Sequence, residues 1–203
     1  MRTMRLGRRA ALASVVAVSM LGGRVALAQQ TRVGSMSSAQ EVAPPAVVVS
    51  PGTGFGTVTL DLLQEMLTVN MTYTNLLAGA TGAHIHRGAI GVNGPVAIDF
   101  PANGFVLGLV GGSYSRVLDL TLASTYGGGY LSSFGGSVSA ARADIVSNFL
   151  AGTTYLNIHS SARLAGEIRG QLQVVPEPST YVLMATGLLT IGGIAARRKR
   201  SGG

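Results

Sequence analysis

The sequence predicts an all-β domain, an antiparallel sandwich or barrel with one short helix, set between two targeting segments. Three observations carry that expectation. Leu67, Val69, Met71 and Tyr73 alternate with Thr68, Asn70, Thr72 and Thr74, the period of two that a strand with one buried face requires. Glycine-rich punctuation at Gly111-Gly112, Gly127-Gly128-Gly129 and Gly135-Gly136 recurs between apolar segments, as turns do between short strands. One stretch has a helical period: Val138, Ala141, Ile145 and Phe149, with Val146 and Leu150 on the same side and Gly152 as the stop.

The chain opens with Arg2, Arg5, Arg8 and Arg9, an apolar stretch over 10–21, and the small-x-small triplet Ala26-Leu27-Ala28. That is the layout of a secretory signal peptide over 1–28, cut after Ala28. Gly7 and Ala10-Ala11 fit a twin-arginine signal poorly, so general secretion is the expected route. The central domain then runs over 29–174. Strands are expected at 47–50, 57–62, 67–74, 82–86, 95–100, 116–122, 154–159 and 167–174, the second and third forming a hairpin across Gln64-Glu65. Ala83-His84-Ile85-His86 and Leu156-Asn157-Ile158-His159 echo each other, each ending a strand on Ile-His.

The C-terminal segment, 175–203, begins Val175-Pro176-Glu177-Pro178, continues through an uncharged apolar run over 181–196, and ends on Arg197-Arg198-Lys199-Arg200. A helix through the run reaches about 24 Å against a bilayer core of roughly 30 Å, so length alone does not decide. The prolines before it and the cations after it do: they mark a transmembrane span with a cytoplasmic basic tail. This segment resembles the PEP-CTERM sorting signal of Gram-negative bacteria. The resemblance implies an exosortase as processing partner, with Pro176, Glu177 and Pro178 as the sorting signal. It also implies transient anchoring in the inner membrane, then export to the periplasm, the outer surface or the medium.

The formal net charge of +7 belongs to these end segments. Between residues 29 and 174 six arginines face seven carboxylates, which leaves the domain at −1 and gives no support for nucleic-acid binding. There is no cysteine, so stability must come from packing, with or without a metal.

All three histidines of the chain fall in the two echoing segments. Residues i and i+2 of a strand share a face, so His84 and His86 project together. In the second segment Leu156 and Ile158 read as core, which puts Tyr155, Asn157 and His159 on the other side. A hairpin through Ser160 would bring His159 near Glu167. Three imidazoles and a carboxylate on one face suit Zn2+ or Cu2+. The same residues also suit a polar network bonded to backbone carbonyls and to Arg87 or Arg169, with no ion. Arg87-Gly88-Ala89-Ile90-Gly91-Val92-Asn93-Gly94 has no following helix to complete an anion site, and reads as an exposed turn. No catalytic constellation is recognisable, and the only lysine is Lys199.

Several stretches together resemble the CHRD domain: Gln40-Glu41-Val42-Ala43-Pro44-Pro45, Gly54-Phe55-Gly56, Ala83-His84-Ile85-His86-Arg87-Gly88, Gly91-Val92-Asn93-Gly94-Pro95, Leu156-Asn157-Ile158-His159-Ser160 and Gly166-Glu167-Ile168-Arg169-Gly170-Gln171-Leu172. They depart from the usual pattern by the insertion of Ala43, by Ser160 in place of threonine, and by a missing proline before Gly166. The resemblance implies an Ig-like or superoxide-dismutase-like β-sandwich of undefined biochemical activity. Three histidines and no cysteine pair are too few for a copper–zinc dismutase, so that activity is not expected. The expected function is a non-enzymatic structural or binding module at the cell surface, linked to biofilm matrix and binding matrix polysaccharide or surface proteins. The alternative is a small Zn- or Cu-binding protein with a role in metal handling or redox protection.

Overall fold

The computed structural model describes residues 29–42, 49–174, 184–189 and 191. The leader, residues 47–48 of the expected strand at 47–50, the Pro176-Glu177-Pro178 motif and most of the span at 181–196 lie outside the described residues, and residues 49–50 are not in a strand. From Val174 onward the tail is a separate unit in which residues 184–189 are helical. Among the described residues no helix is long and apolar enough to cross a membrane.

The strands are β1 (Gln29–Ser37), β2 (Thr53–Asp61), β3 (Met66–Thr74), β4 (Ala80–Arg87), β5 (Val96–Asp99), β6 (Gly112–Asp119), β7 (Thr154–Ser160), β8 (Arg163–Gln171) and β9 (Gln173–Val174). Two helices, α1 (Gly128–Ser133) and α2 (Val138–Ala151), separate β6 from β7. The all-β expectation holds, and the two layers are halves of one curled sheet of order β5-β4-β7-β8-β1-β2-β3-β6, with β9 beside β1. β1 pairs with β2 along its whole length, but its register with β8 is confined to Ser37 opposite Arg169. The sheet turns a corner there and folds one half over the other.

The β2–β3 hairpin forms where the alternation predicts it. Asp61 Oδ1 accepts the amides of Leu63 and Gln64 at 2.9 Å each, and Glu65 takes a left-handed φ of 56° to close the turn. Val58, Leu60, Leu67, Val69, Met71 and Tyr73 then point inward, facing Ile85, Leu156, Ile158 and Ile168 of the other half. Fully burying each such side chain contributes about 1.5–3 kcal/mol. Close approach of the halves requires Gly56: a Cβ there would stand 2.4 Å from Leu156 Cδ1.

Helix α2 closes one end of the core. Ser137 Oγ accepts from Ala140 N at its start, and Gly152 at φ 78° ends it. Ala141, Ile145 and Phe149 are buried, but Leu150 is 42% exposed. It lies about 100° around the helix from Phe149, past the edge of the apolar stripe. β1 was not anticipated. Its inward positions include Arg32, whose guanidinium donates to Leu150 O at 2.6 Å and lies 5.4 Å from the Phe149 ring centroid. A basic residue at a core-facing position hides the strand pattern.

The outward positions of the β1-β2-β3-β6 half include three central rows: Thr31, Thr59, Thr68 and Val117; Val33, Thr57, Asn70 and Ser115; Ser35, Phe55, Thr72 and Ser113; a further row at one end is Gln29, Asp61, Met66 and Asp119. The other half differs, because β7 is buried on both faces. Its second face is covered by the loop after β4 and by the segment around Glu41.

Candidate metal centre

Strand β4 presents His84 and His86 from one face, and β7 runs antiparallel beside it with Gly82 opposite His159, His84 opposite Asn157 and His86 opposite Tyr155. Gly82 is what lets the imidazoles converge. A Cβ at that position would lie 2.8 Å from His84 Cε1 and 3.3 Å from its Nε2. The His84 ring occupies the hole that the missing side chain leaves, with the His159 ring centroid 5.0 Å away. His86 completes the trio at 5.5 Å from His84 and 5.7 Å from His159. One ring nitrogen from each histidine lies within 4.8 Å of the other two.

Two of the rings are held from behind. His86 Nδ1 meets Gly94 O and His159 Nδ1 meets Leu164 O, both at 2.9 Å. A carbonyl can only accept, so Nδ1 carries the proton in both rings and Nε2 keeps its lone pair. His84 Nε2 stands 3.7 Å from Asp99 Oδ1. The remaining nitrogens, His84 Nδ1, His86 Nε2 and His159 Nε2, are buried and have no hydrogen-bond partner. Three buried ring nitrogens left over in one place are unusual, since such groups are nearly always satisfied. Oriented imidazoles with a free nitrogen are what a metal site needs.

The electrostatics keep the trio in its ligand form. Burial, reinforced by His159 and His86, pushes His84 down to about 3. Burial pushes His86 down to about 4 against the pull of the Gly94 carbonyl, and burial lowers His159 as well. Near neutral pH all three are uncharged, so a metal ion would displace no protons from them.

Glu167 is not part of the trio. Its Oε1 accepts from Ser50 Oγ and Leu77 N, each at 2.6 Å. The cause is a break in register. Asn157 pairs with Arg169 and Ile158 with Ile168, but Ser160 pairs with Arg163, so four residues of β8 stand opposite His159. Gly166, at φ 129°, sits within that bulge.

Several residues around the trio carry roles that motif reasoning did not give them. Arg169 is stacked on Tyr155, its Cζ 3.5 Å from the ring centroid, and Tyr155 stacks in turn on His86 at 4.9 Å. The Arg169 guanidinium donates to the carbonyls of Val92 and Ala89. The loop over 88–94 is thus exposed in its side chains, as expected, while its carbonyls turn inward to hold Arg169 and His86. Glu41 reaches in from beyond β1 to lie 3.5 Å from Asn157 Nδ2, and burial pushes its carboxyl up to about 7 despite Arg169. The carboxylate rests over Gly166, where any Cβ would come within 2.8 Å of both oxygens. Asn157 and Arg169 are legible as polar alternates on their strands. Glu41 and Asp99 are not, because their proximity depends on pairing and loop paths that no local pattern encodes.

Comparison with known proteins adds two matches. The CHRD domain family model matches residues 33–172, and the PEP-CTERM protein-sorting motif matches residues 174–200. No curated protein and no solved structure matches the chain.

Proposed function

The chain belongs to the CHRD domain family and carries a PEP-CTERM sorting motif, and on that premise we propose a non-enzymatic surface module that holds one Zn2+ or Cu2+ ion on His84, His86 and His159. The sorting motif implies export, a membrane-anchored C-terminus in the precursor and processing by an exosortase. The metal reading rests on one observation: three uncharged imidazoles, each with a buried, unpartnered nitrogen, gathered within 4.8 Å. Ligand nitrogens on a tetrahedral ion stand about 3.3 Å apart, so modest side-chain rotation would close the set. Three protein ligands leave a fourth position for water or for a group from a partner. At the surface the module acts in the extracellular matrix, with metal handling or redox protection as the alternative use of the ion.

Titration of the tag-free protein with Zn2+ and Cu2+ tests the site. Binding well below millimolar that disappears in His84→Ala/His86→Ala supports it, and no binding of either ion refutes it. A deletion strain tests the matrix role separately, because unchanged surface attachment and matrix retention would count against that role alone.

A further inference from the structure

The outer face of the β1-β2-β3-β6 half carries no formal charge at any of the twelve positions in its three central rows; its carboxylates, Asp61 and Asp119, lie in the row at one end. Solvated sheet faces ordinarily carry interspersed lysines and carboxylates, which keep them soluble and protect their edges. Here most of the positions are hydroxyls, spaced about 4.8 Å across strands and about 6.7 Å along them. Thr31 Oγ1 and Thr59 Oγ1 are already paired at 2.9 Å, and Ser115 Oγ donates to Asn70 Oδ1 at 2.7 Å. A groove of about 310 Å3 lies over β2, β3 and β6, lined by Phe55, Thr57, Asn70, Thr72, Ser113 and Ser115 together with Met71 and Tyr114. Phe55 stands at one end of that lining and is 47% exposed.

We propose that this groove binds a chain of an uncharged polysaccharide. Such a polymer presents hydroxyls that both donate and accept, alternating with C–H faces. Threonine and serine hydroxyls match the first property. The Phe55 ring and the threonine methyls cover the second. β-Branched threonine loses little rotamer freedom when it is pinned by a partner. Charge decides between polymers. A charged side chain in the groove would lose water without gaining an ionic partner, and none is present. Asp61 and Asp119, in the row at one end of the face, repel a polyanion. The inference rests on reading the chain as a surface-directed binding module, and it is independent of the histidine trio on the other half of the sheet.

Affinity gel electrophoresis of the full chain in mild detergent tests it, with hydroxyethylcellulose, dextran or xylan cast into the gel and alginate as the polyanion. Retardation by at least one neutral polymer is expected, and any retardation by alginate should be the same in wild type and in the groove variants, because the basic end segments of the full chain account for it. Phe55→Ala and Thr72→Lys should each weaken it about tenfold, with metal content and unfolding midpoint unchanged. Three results would overturn the proposal: no retardation by any neutral polymer, equal retardation of both variants, or retardation by alginate alone. A dimer in sedimentation that Thr72→Lys abolishes, without polymer binding, would assign the face to a second copy and also overturn it. Neutral-polymer binding by a protein that takes up no metal supports this groove while removing the metal reading, so the two fail separately.

Discussion

Replacing His84 and His86 together by alanine should flatten the acid dependence of stability in the metal-free protein. In the unfolded chain both imidazoles titrate near pH 6.5. In the folded protein burial, aided by neighbouring groups, holds them down to about 3 and about 4. Groups depressed in this way bind protons preferentially in the unfolded chain. Their contribution is intact above pH ~6.5 and is lost as the pH falls towards the folded values. Each costs about 1.4 kcal/mol per pH unit, so acidification from pH ~6.5 to pH ~5 costs about 2 kcal/mol per ring and about 4 kcal/mol for the pair. His159 acts in the same direction. Glu41 acts in the opposite one, because its raised value makes its contribution largest in acid and lost as the pH rises through about 7. Both remain in the variant and cancel in the comparison. Urea unfolding of the two proteins, stripped of metal, across that pH window measures the difference. Wild-type protein should lose about 4 kcal/mol more than the variant. Parallel losses would refute the argument that these rings are buried and neutral.

Gly82→Ala places a methyl group 2.8 Å from His84 Cε1. It should weaken Zn2+ binding about tenfold with little change in unfolding midpoint, and unchanged affinity in calorimetry would contradict the packing argument. Arg169→Lys removes the stack on Tyr155 and leaves the carbonyls of Val92 and Ala89 short of donors. A loss of about 3 kcal/mol in urea unfolding is expected, and a loss well under 1 kcal/mol would contradict it. Glu41→Gln should be near neutral at pH ~5 and gain about 2 kcal/mol on wild type by pH ~7, after allowance for the partial exposure of the carboxyl. A difference independent of pH would show that Glu41 ionises normally.

The elements most legible in the sequence were those whose packing follows local periodicity. The alternation from Leu67 to Tyr73 fixed β3 and its faces, and the spacing Val138, Ala141, Ile145, Phe149 fixed the buried stripe of α2. β1 was hidden because Arg32 takes a core-facing position and satisfies its guanidinium on the α2 terminus. The His84–His86 pairing followed from strand geometry, and the approach of His159 followed from a shared polar face. Placing Glu167 beside them assumed an unbroken β7–β8 register, and the bulge opposite His159 sends its carboxylate to Ser50 and Leu77 instead. Glu41 reaches Asn157 from 116 residues away, a contact set by the corner between β1 and β8. No spacing rule reports a contact of that kind.

Elemental analysis of the tag-free protein beside His84→Ala/His86→Ala tests the central claim most directly. The account predicts about one Zn or Cu per wild-type chain and none in the variant, with both proteins folded. Absence of metal from both folded proteins, even after incubation with either ion, would contradict it and leave the trio as an unmetallated polar cluster.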